Sequence, residues 1–239
     1  MPAVLVDTTA APARGDFRGA LKDSSTVGLA MIPLGIAFGL LVVHAGLDWW
    51  WAPTFAALIY AGSLEFLLIG LVVAVAPLAQ VAVTAFLVNF RHVFYALSFP
   101  LHRVRSRIGK AYSTFALTDE AYALATAPAA QGWSGKRIVW LQVLLQCYWV
   151  TGAVIGALFG ALVPFRLDGL DFALTALFVV LALDAYRVRR SVPVPAMAMV
   201  CALVSAVLFP DQMLPVSLGL FTAALLVTRI AVRKKNSDA

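Results

Sequence analysis

Four groups of polar residues interrupt long apolar runs in this chain, and each contains residue types that ligand binding or proton transfer requires. An ionisable side chain at the centre of a bilayer costs about 2.5 to 3.5 kcal/mol on insertion scales, so each such residue needs a partner, a wet cavity or a function. The first group is YAGSLEF, Tyr60 to Phe66. Here Gly62 is expected to end one half-helix, Ser63 to cap the next, and Glu65 to lie in its first turn. A helix broken in this way turns backbone N–H groups and a positive dipole end toward a carboxylate, while Glu65 suits an ammonium group or a proton. The plainer alternative is a structural kink with Glu65 held neutral or paired to Arg91.

The second group is VNFRHVFYALSF, Val88 to Phe99. Helical spacing brings Thr84, Arg91, Tyr95 and Ser98 close to one face, with Asn89 opposite and His92 between, so no wide arc is left to face lipid. Arg91 can clamp a carboxylate through two hydrogen bonds, or form an ion pair with Glu65 or Asp119. His92 has the chemistry of a proton carrier, or is a hydrogen-bonded packing residue. A metal role is not expected, because His44, His92 and His102 lack paired ligand spacing. The third group is ALTDEAYA, Ala116 to Ala123, in which Thr118 can cap a helix whose first turn carries Asp119 and Glu120. Those acids serve either the cap alone or the proton pathway. The fourth is Gln142 and Gln146, one turn apart and followed by Trp149, which are expected to hydrogen-bond between helices rather than line a pathway. The candidate substrate-binding set is therefore Gly62, Ser63, Glu65, Asn89, Arg91 and Tyr95, and the candidate proton-coupling set is Glu65, His92, Asp119 and Glu120.

The elements that must position these residues are set by a bilayer. Of 239 residues, 62% are hydrophobic and 13% charged, against roughly 45 to 50% and about 25% in soluble domains. The 18 basic and 12 acidic residues leave a net charge of +6. The basic residues fall in short clusters between uncharged runs, with no stripe interleaved with aromatics, so a nucleic-acid partner is not expected. Apolar runs at Val27 to His44, Pro53 to Gln80, Val81 to Leu101, Ile138 to Phe165, Gly169 to Ala185, Ser191 to Phe209 and Gln212 to Thr228 predict an all-α, polytopic membrane protein with about seven transmembrane segments. The discontinuous helix falls near Gly62, and Ala111 to Ala130, near Thr118, is expected to be re-entrant or cavity-lining. Residues 1–25 read as a flexible polar tail, 26–232 as one transport domain and 233–239 as a basic tail.

The basic clusters at residues 103–110, 136–137, 187–190 and 233–235 are expected to be cytoplasmic, placing the C-terminus inside and the loops around Asp168 and Asp211 outside. Upstream the parity fails. Either the N-terminus is external, or one early segment does not fully cross. Asp171 and Asp184 read as interfacial, and Trp49 to Trp51 marks an interface in either case. Gly35 and Gly39, and Gly152, Gly156 and Gly160, are spaced for close helix approach. Cys147 and Cys201 sit in apolar runs as small buried hydrophobes.

Several activities lack their motifs. GWSGKR, Gly132 to Arg137, lacks the spacing of a phosphate loop, no lysine lies within a span for a Schiff base, and GxSxG, HExxH and CxxC are missing. Neither an enzyme activity nor a cofactor is expected. The strings IPLGIAFGLLV, YAGSLEF, LVNFRHVFYALSFPLH and FALTDEAYA, in this order, resemble the AzlC family of branched-chain amino acid permeases, and within it the large subunits of BrnFE-type exporters. The resemblance runs from about Gly28 to Ala185. It implies a plasma-membrane secondary exporter of isoleucine, leucine and valine, with methionine as a further substrate, driven by the proton-motive force. It also implies a small hydrophobic AzlD/BrnE-type membrane subunit as obligate partner.

Overall fold

The computed structural model describes residues 13–162, 179 and 193–237, and every regular element among them is helical. The helix α1 covers Ala13–His44 and α8 covers Gly135–Leu162, 32 and 28 residues respectively. At 1.5 Å per residue each reaches about 40 Å or more, enough to cross a hydrocarbon core of about 30 Å. They are the two uninterrupted helices among the described residues that are long and apolar enough to do so.

These two helices pack along each other in parallel. Asp16 meets Ser134, Asp23 meets Arg137, Gly28 meets Tyr148, Gly35 meets Trp149 and Gly152, and Gly39 meets Ala153 and Ala157, so the contacts advance in step. A side chain at Gly35, Gly39, Gly152 or Gly156 would run into the backbone of the facing helix, as the glycine spacing predicts. The absence of a Cβ lets the two backbones come into direct contact where lipid supplies no hydrophobic drive for association.

The expectation of a flexible tail through residue 25 is corrected over residues 13–25, which form the first turns of α1. Polar partners hold this end. Ser134 Oγ donates to Asp16 at 2.6 Å, and Arg137 donates twice to Asp23, at 2.6 and 2.9 Å, while lying 4.6 Å above the Trp133 ring. Phe17 meets Trp140 edge-on beside them. The start of α1 therefore lies at the same end of the pair as Lys136 and Arg137. Of the two topologies left open by charge, the one with an external N-terminus would need the start of α1 at the end opposite Lys136 and Arg137, where it does not lie.

The early segments do not fully cross as continuous helices. The second apolar run is divided into α2, Trp51–Leu58, and α3, Gly62–Val73. The third is divided into α4, Leu78–Asn89, and α5, Arg91–Ser98. Because the break falls at Phe90, Thr84 does not share a continuous face with Arg91, Tyr95 and Ser98, and that expectation is corrected. The expected cavity-lining segment is likewise two short helices, α6, Arg107–Phe115, and α7, Asp119–Thr126. Side-chain caps start both: Ser106 Oγ accepts from Gly109 N–H and Thr118 Oγ1 from Ala121 N–H.

The region expected as a single transport domain clusters into two compact units. One comprises Met1–Glu65 and Arg91–Phe165, organised on α1 and α8. The other comprises Phe66–Phe90 and Arg166–Ala239. Within the second unit, α9, Pro193–Leu208, and α4 both pack on α10, Met213–Ser237. Residues 233–237, expected as a basic tail, continue α10. The predicted span from Gly169 to Ala185, with Asp168, Asp171, Asp184 and the basic cluster at 187–190, lies outside the described residues, apart from position 179.

Candidate functional site

One face of α8 organises the broken helices. Gln142, Gln146 and Trp149 recur at helical spacing, and each engages a helix end that a break has left open. Gln142 is fully buried: its Nε2 donates to the carbonyls of Ser113 and Ala116, both at 2.9 Å, and its Oε1 accepts from Ser113 Oγ at 2.6 Å. This satisfies the end of α6. Gln146 Nε2 donates to the Ala57 carbonyl at the end of α2, 3.0 Å away, while its Oε1 accepts from the Tyr112 hydroxyl at 2.8 Å. Trp149 Nε1 donates to Glu65 Oε2 at 3.0 Å, and Glu65 Oε1 accepts from Ala61 N–H at 2.8 Å, at the start of α3. A buried backbone group without a partner costs several kcal/mol in an apolar medium, so breaks at this depth require such ties.

The breaks converge on a cavity of about 80 Å³. Gly62 and Ser63 begin α3, Arg91 and His92 begin α5, and Asp119 and Glu120 begin α7; all six line it. Three helix starts thus line one space, and the positive dipole ends of helices favour an anionic group beside them. Met31, Leu34 and Trp149, near the midpoints of α1 and α8, supply apolar wall. The cavity is smaller than the roughly 300 to 1,000 Å³ of drug-sized ligand sites, so admitting a whole amino acid requires its walls to move.

Arg91 and Asp119 form an ion pair across the cavity at 2.9 Å, with both side chains less than half exposed. Beyond it, α5 and α7 are joined by the stacked rings of Tyr95 and Tyr122, 4.3 Å apart, and by a 2.8 Å hydrogen bond between Ser98 Oγ and the Tyr122 hydroxyl. His92 packs against the Tyr95 ring. Among the described residues, no three His, Cys, Asp or Glu side chains gather as a metal site would require.

The family described as AzlC protein matches residues 26–163, more than half of the chain. The chain belongs to the AzlC family. The matched AzlC region contains every residue on the cavity wall, from Met31 to Trp149. An AzlC-family relative from Helicobacter pylori, described as an uncharacterized membrane protein, is 32% identical over 89% of this chain and 95% of its own length. The branched-chain amino acid transport protein AzlC of Bacillus subtilis is 31% identical over 73% of this chain and 69% of its own. Inner membrane protein YgaZ of Escherichia coli is 32% identical over 83% and 84%. No solved structure matches the chain. This AzlC-family member is a membrane protein of a transport family, not an enzyme.

Within this AzlC site the structure brings Gly62, Ser63, Arg91, His92, Asp119 and Glu120 to one cavity wall. Glu65, expected to touch substrate, stands behind that wall, fully buried and held by Trp149 and Ala61. Its alternative pairing with Arg91 is replaced by the Arg91–Asp119 pair. The expected cap at Ser63 is replaced by the Glu65 carboxylate on Ala61 N–H, and the left-handed residue at the break is Tyr60, with φ of 48°, not Gly62. The Trp149 ring lies 3.6 Å from where a Cβ at Gly62 would stand, an ordinary contact that does not itself require glycine. Tyr95 belongs to the α5–α7 seam rather than the cavity wall, and Asn89 is the last residue of α4, in the second unit. The Thr118 cap and the bridging roles of Gln142 and Gln146 are as expected. Tyr60, Met31, Leu34 and Trp149 were not among the predicted site residues. Trp149 carried a signal, since it stands on the Gln142 and Gln146 face.

Proposed function

We propose that the chain is the large subunit of a secondary active exporter, of the BrnF type, moving isoleucine, leucine, valine and also methionine out of the cell across the plasma membrane. Three helix starts and the Arg91–Asp119 pair at one mid-helix cavity support this reading above all. A zwitterionic aliphatic amino acid needs donors for its carboxylate, an acceptor for its ammonium group and an apolar surface for its side chain. The start of α3 and Arg91 supply the first, Asp119 the second, and Met31, Leu34 and Trp149 the third. The substrate's two charges would replace the Arg91–Asp119 contact with one bond to each partner, so neither ion is left unpaired. The printed name of the Bacillus subtilis relative adds support for the substrate class.

Proton-motive force supplies the drive in this reading, with Glu65, His92, Asp119 and Glu120 as the candidate proton carriers. One charge moved through 100 mV is worth about 2.3 kcal/mol, more than the roughly 1.4 kcal/mol of a tenfold gradient. The partner is a small hydrophobic AzlD/BrnE-type subunit, and the C-terminus and the start of α1 face the cytoplasm. The test is isoleucine efflux from cells preloaded with an isoleucine-containing dipeptide, comparing this gene alone, with a small-subunit gene, and neither. Efflux that needs both genes and collapses with a protonophore supports the reading. Efflux unchanged with both proteins verified in the membrane contradicts it, and efflux indifferent to the protonophore would mark a passive channel.

A further inference from the structure

Two oxygen atoms at the cavity are buried and have no hydrogen-bond partner: the Tyr60 hydroxyl and Asp119 Oδ1. Buried polar atoms without partners are uncommon in folded proteins and call for a physical explanation. Tyr60 is 4% exposed and lines the cavity; the Thr118 side chain approaches its hydroxyl without reaching hydrogen-bonding distance and angle, and the Glu120 carboxylate is a further neighbour. Its backbone lies in the left-handed region, φ 48°, which is uncommon for a bulky side chain. Asp119 differs between its two oxygens. Oδ2 is committed to Arg91 at 2.9 Å, and the Tyr95 hydroxyl approaches the same carboxylate, whereas Oδ1 is unmatched.

The chemistry of these two atoms selects their ligand. A carboxylate oxygen only accepts, so Asp119 Oδ1 requires a donor, and a tyrosine hydroxyl can accept beside it. With Glu120 adjacent, a second carboxylate would be repelled here. A primary ammonium group has three N–H donors on one nitrogen and satisfies both atoms together. We infer that the Tyr60 hydroxyl and Asp119 Oδ1 form the subsite for the substrate's α-ammonium group, so that the site selects amino acids over the same carbon skeletons lacking the amine. This inference rests on the transport reading and adds to it a recognition residue, Tyr60, at the helix break itself.

The test uses full-length protein in lipid nanodiscs, alone and co-purified with the small subunit, as wild type and Tyr60→Phe. The probes are L-isoleucine and 3-methylpentanoate, which is isoleucine without its amino group. Wild type is expected to bind isoleucine at least tenfold more tightly than 3-methylpentanoate. Tyr60→Phe should weaken isoleucine binding about tenfold, as expected for a lost hydrogen bond to a charged group, and leave 3-methylpentanoate binding unchanged. Its melting temperature should stay level or rise, because the hydroxyl removed has no partner in the protein. Unchanged isoleucine affinity in Tyr60→Phe, an equal loss for both probes, or a lowered melting temperature would overturn the assignment of Tyr60 and leave the transport reading standing. Failure of wild type to bind isoleucine with or without the small subunit would overturn both.

Discussion

The α1–α8 pair and the broken helices beside it solve the bilayer problem in opposite ways. The pair keeps its backbone hydrogen bonds within each helix and meets through glycines, with its polar links at the Asp16 and Asp23 end. The α2–α3 and α6–α7 segments give up those bonds at their breaks and take replacements from Gln142 and Gln146 on α8 and from Glu65, which Trp149 holds. Irregular backbone is tolerated within a membrane only where protein or a wet cavity satisfies it. The difference teaches that one stripe of α8 has two functions in succession: Gln142, Gln146 and Trp149 tie the broken helices along its first half, and Gly152 and Gly156 seat α1 along its second.

Four variants would break or sharpen that contrast. The largest effect is expected from Gly39→Val combined with Gly156→Val, which drives side chains into the facing backbone. Overpacking typically costs about 1 to 3 kcal/mol per site, and here the obstacle is backbone, so folded protein should be lost, as size-exclusion profiles would show. Normal yield and melting would mean that the pair is not the frame. Next, Arg91→Ala should cut transport about a hundredfold, the upper range for a lost charged hydrogen bond, with expression and subunit assembly intact. Retained efflux would remove Arg91 from the site. Gln142→Leu leaves two carbonyls and the Ser113 hydroxyl unmatched, and should destabilise by about 3 kcal/mol, measured as thermal unfolding in detergent. A neutral result would show that the α6 end does not depend on α8. The smallest effect on stability belongs to Asp119→Asn, which should weaken isoleucine transport and its coupling to the proton-motive force while leaving melting nearly unchanged, since a half-exposed ion pair contributes about 1 kcal/mol or less. A protein that fails to insert would make Asp119 a structural helix-start residue instead.

Local physics made much of this architecture readable. Glycine spacing gave the α1–α8 contact, Thr118 followed by two acids gave the start of α7, and the interruption at YAGSLEF gave the α2–α3 break. The break at Phe90 was not readable, because neither glycine nor proline marks it and the flanking Asn89, Arg91 and His92 are equally compatible with a continuous helix. The tie that holds Glu65 was not readable, because its partner, Trp149, is 84 residues away, and no local spacing encodes that contact. Tyr60 was overlooked for a related reason. The helix end was expected at Gly62, whereas the left-handed residue at the break is Tyr60, two residues earlier.

The central claim, that the space where α3, α5 and α7 begin is where substrate sits, is tested most directly by ligand protection. With Cys147 and Cys201 replaced by alanine, a single Ser63→Cys protein would be labelled by a small thiol reagent with and without isoleucine, beside a Gln131→Cys control on an exposed turn. The account predicts that isoleucine slows labelling at position 63 severalfold and leaves position 131 unaffected. Equal labelling rates at position 63 with saturating isoleucine, in protein shown to export it, would place the binding site elsewhere.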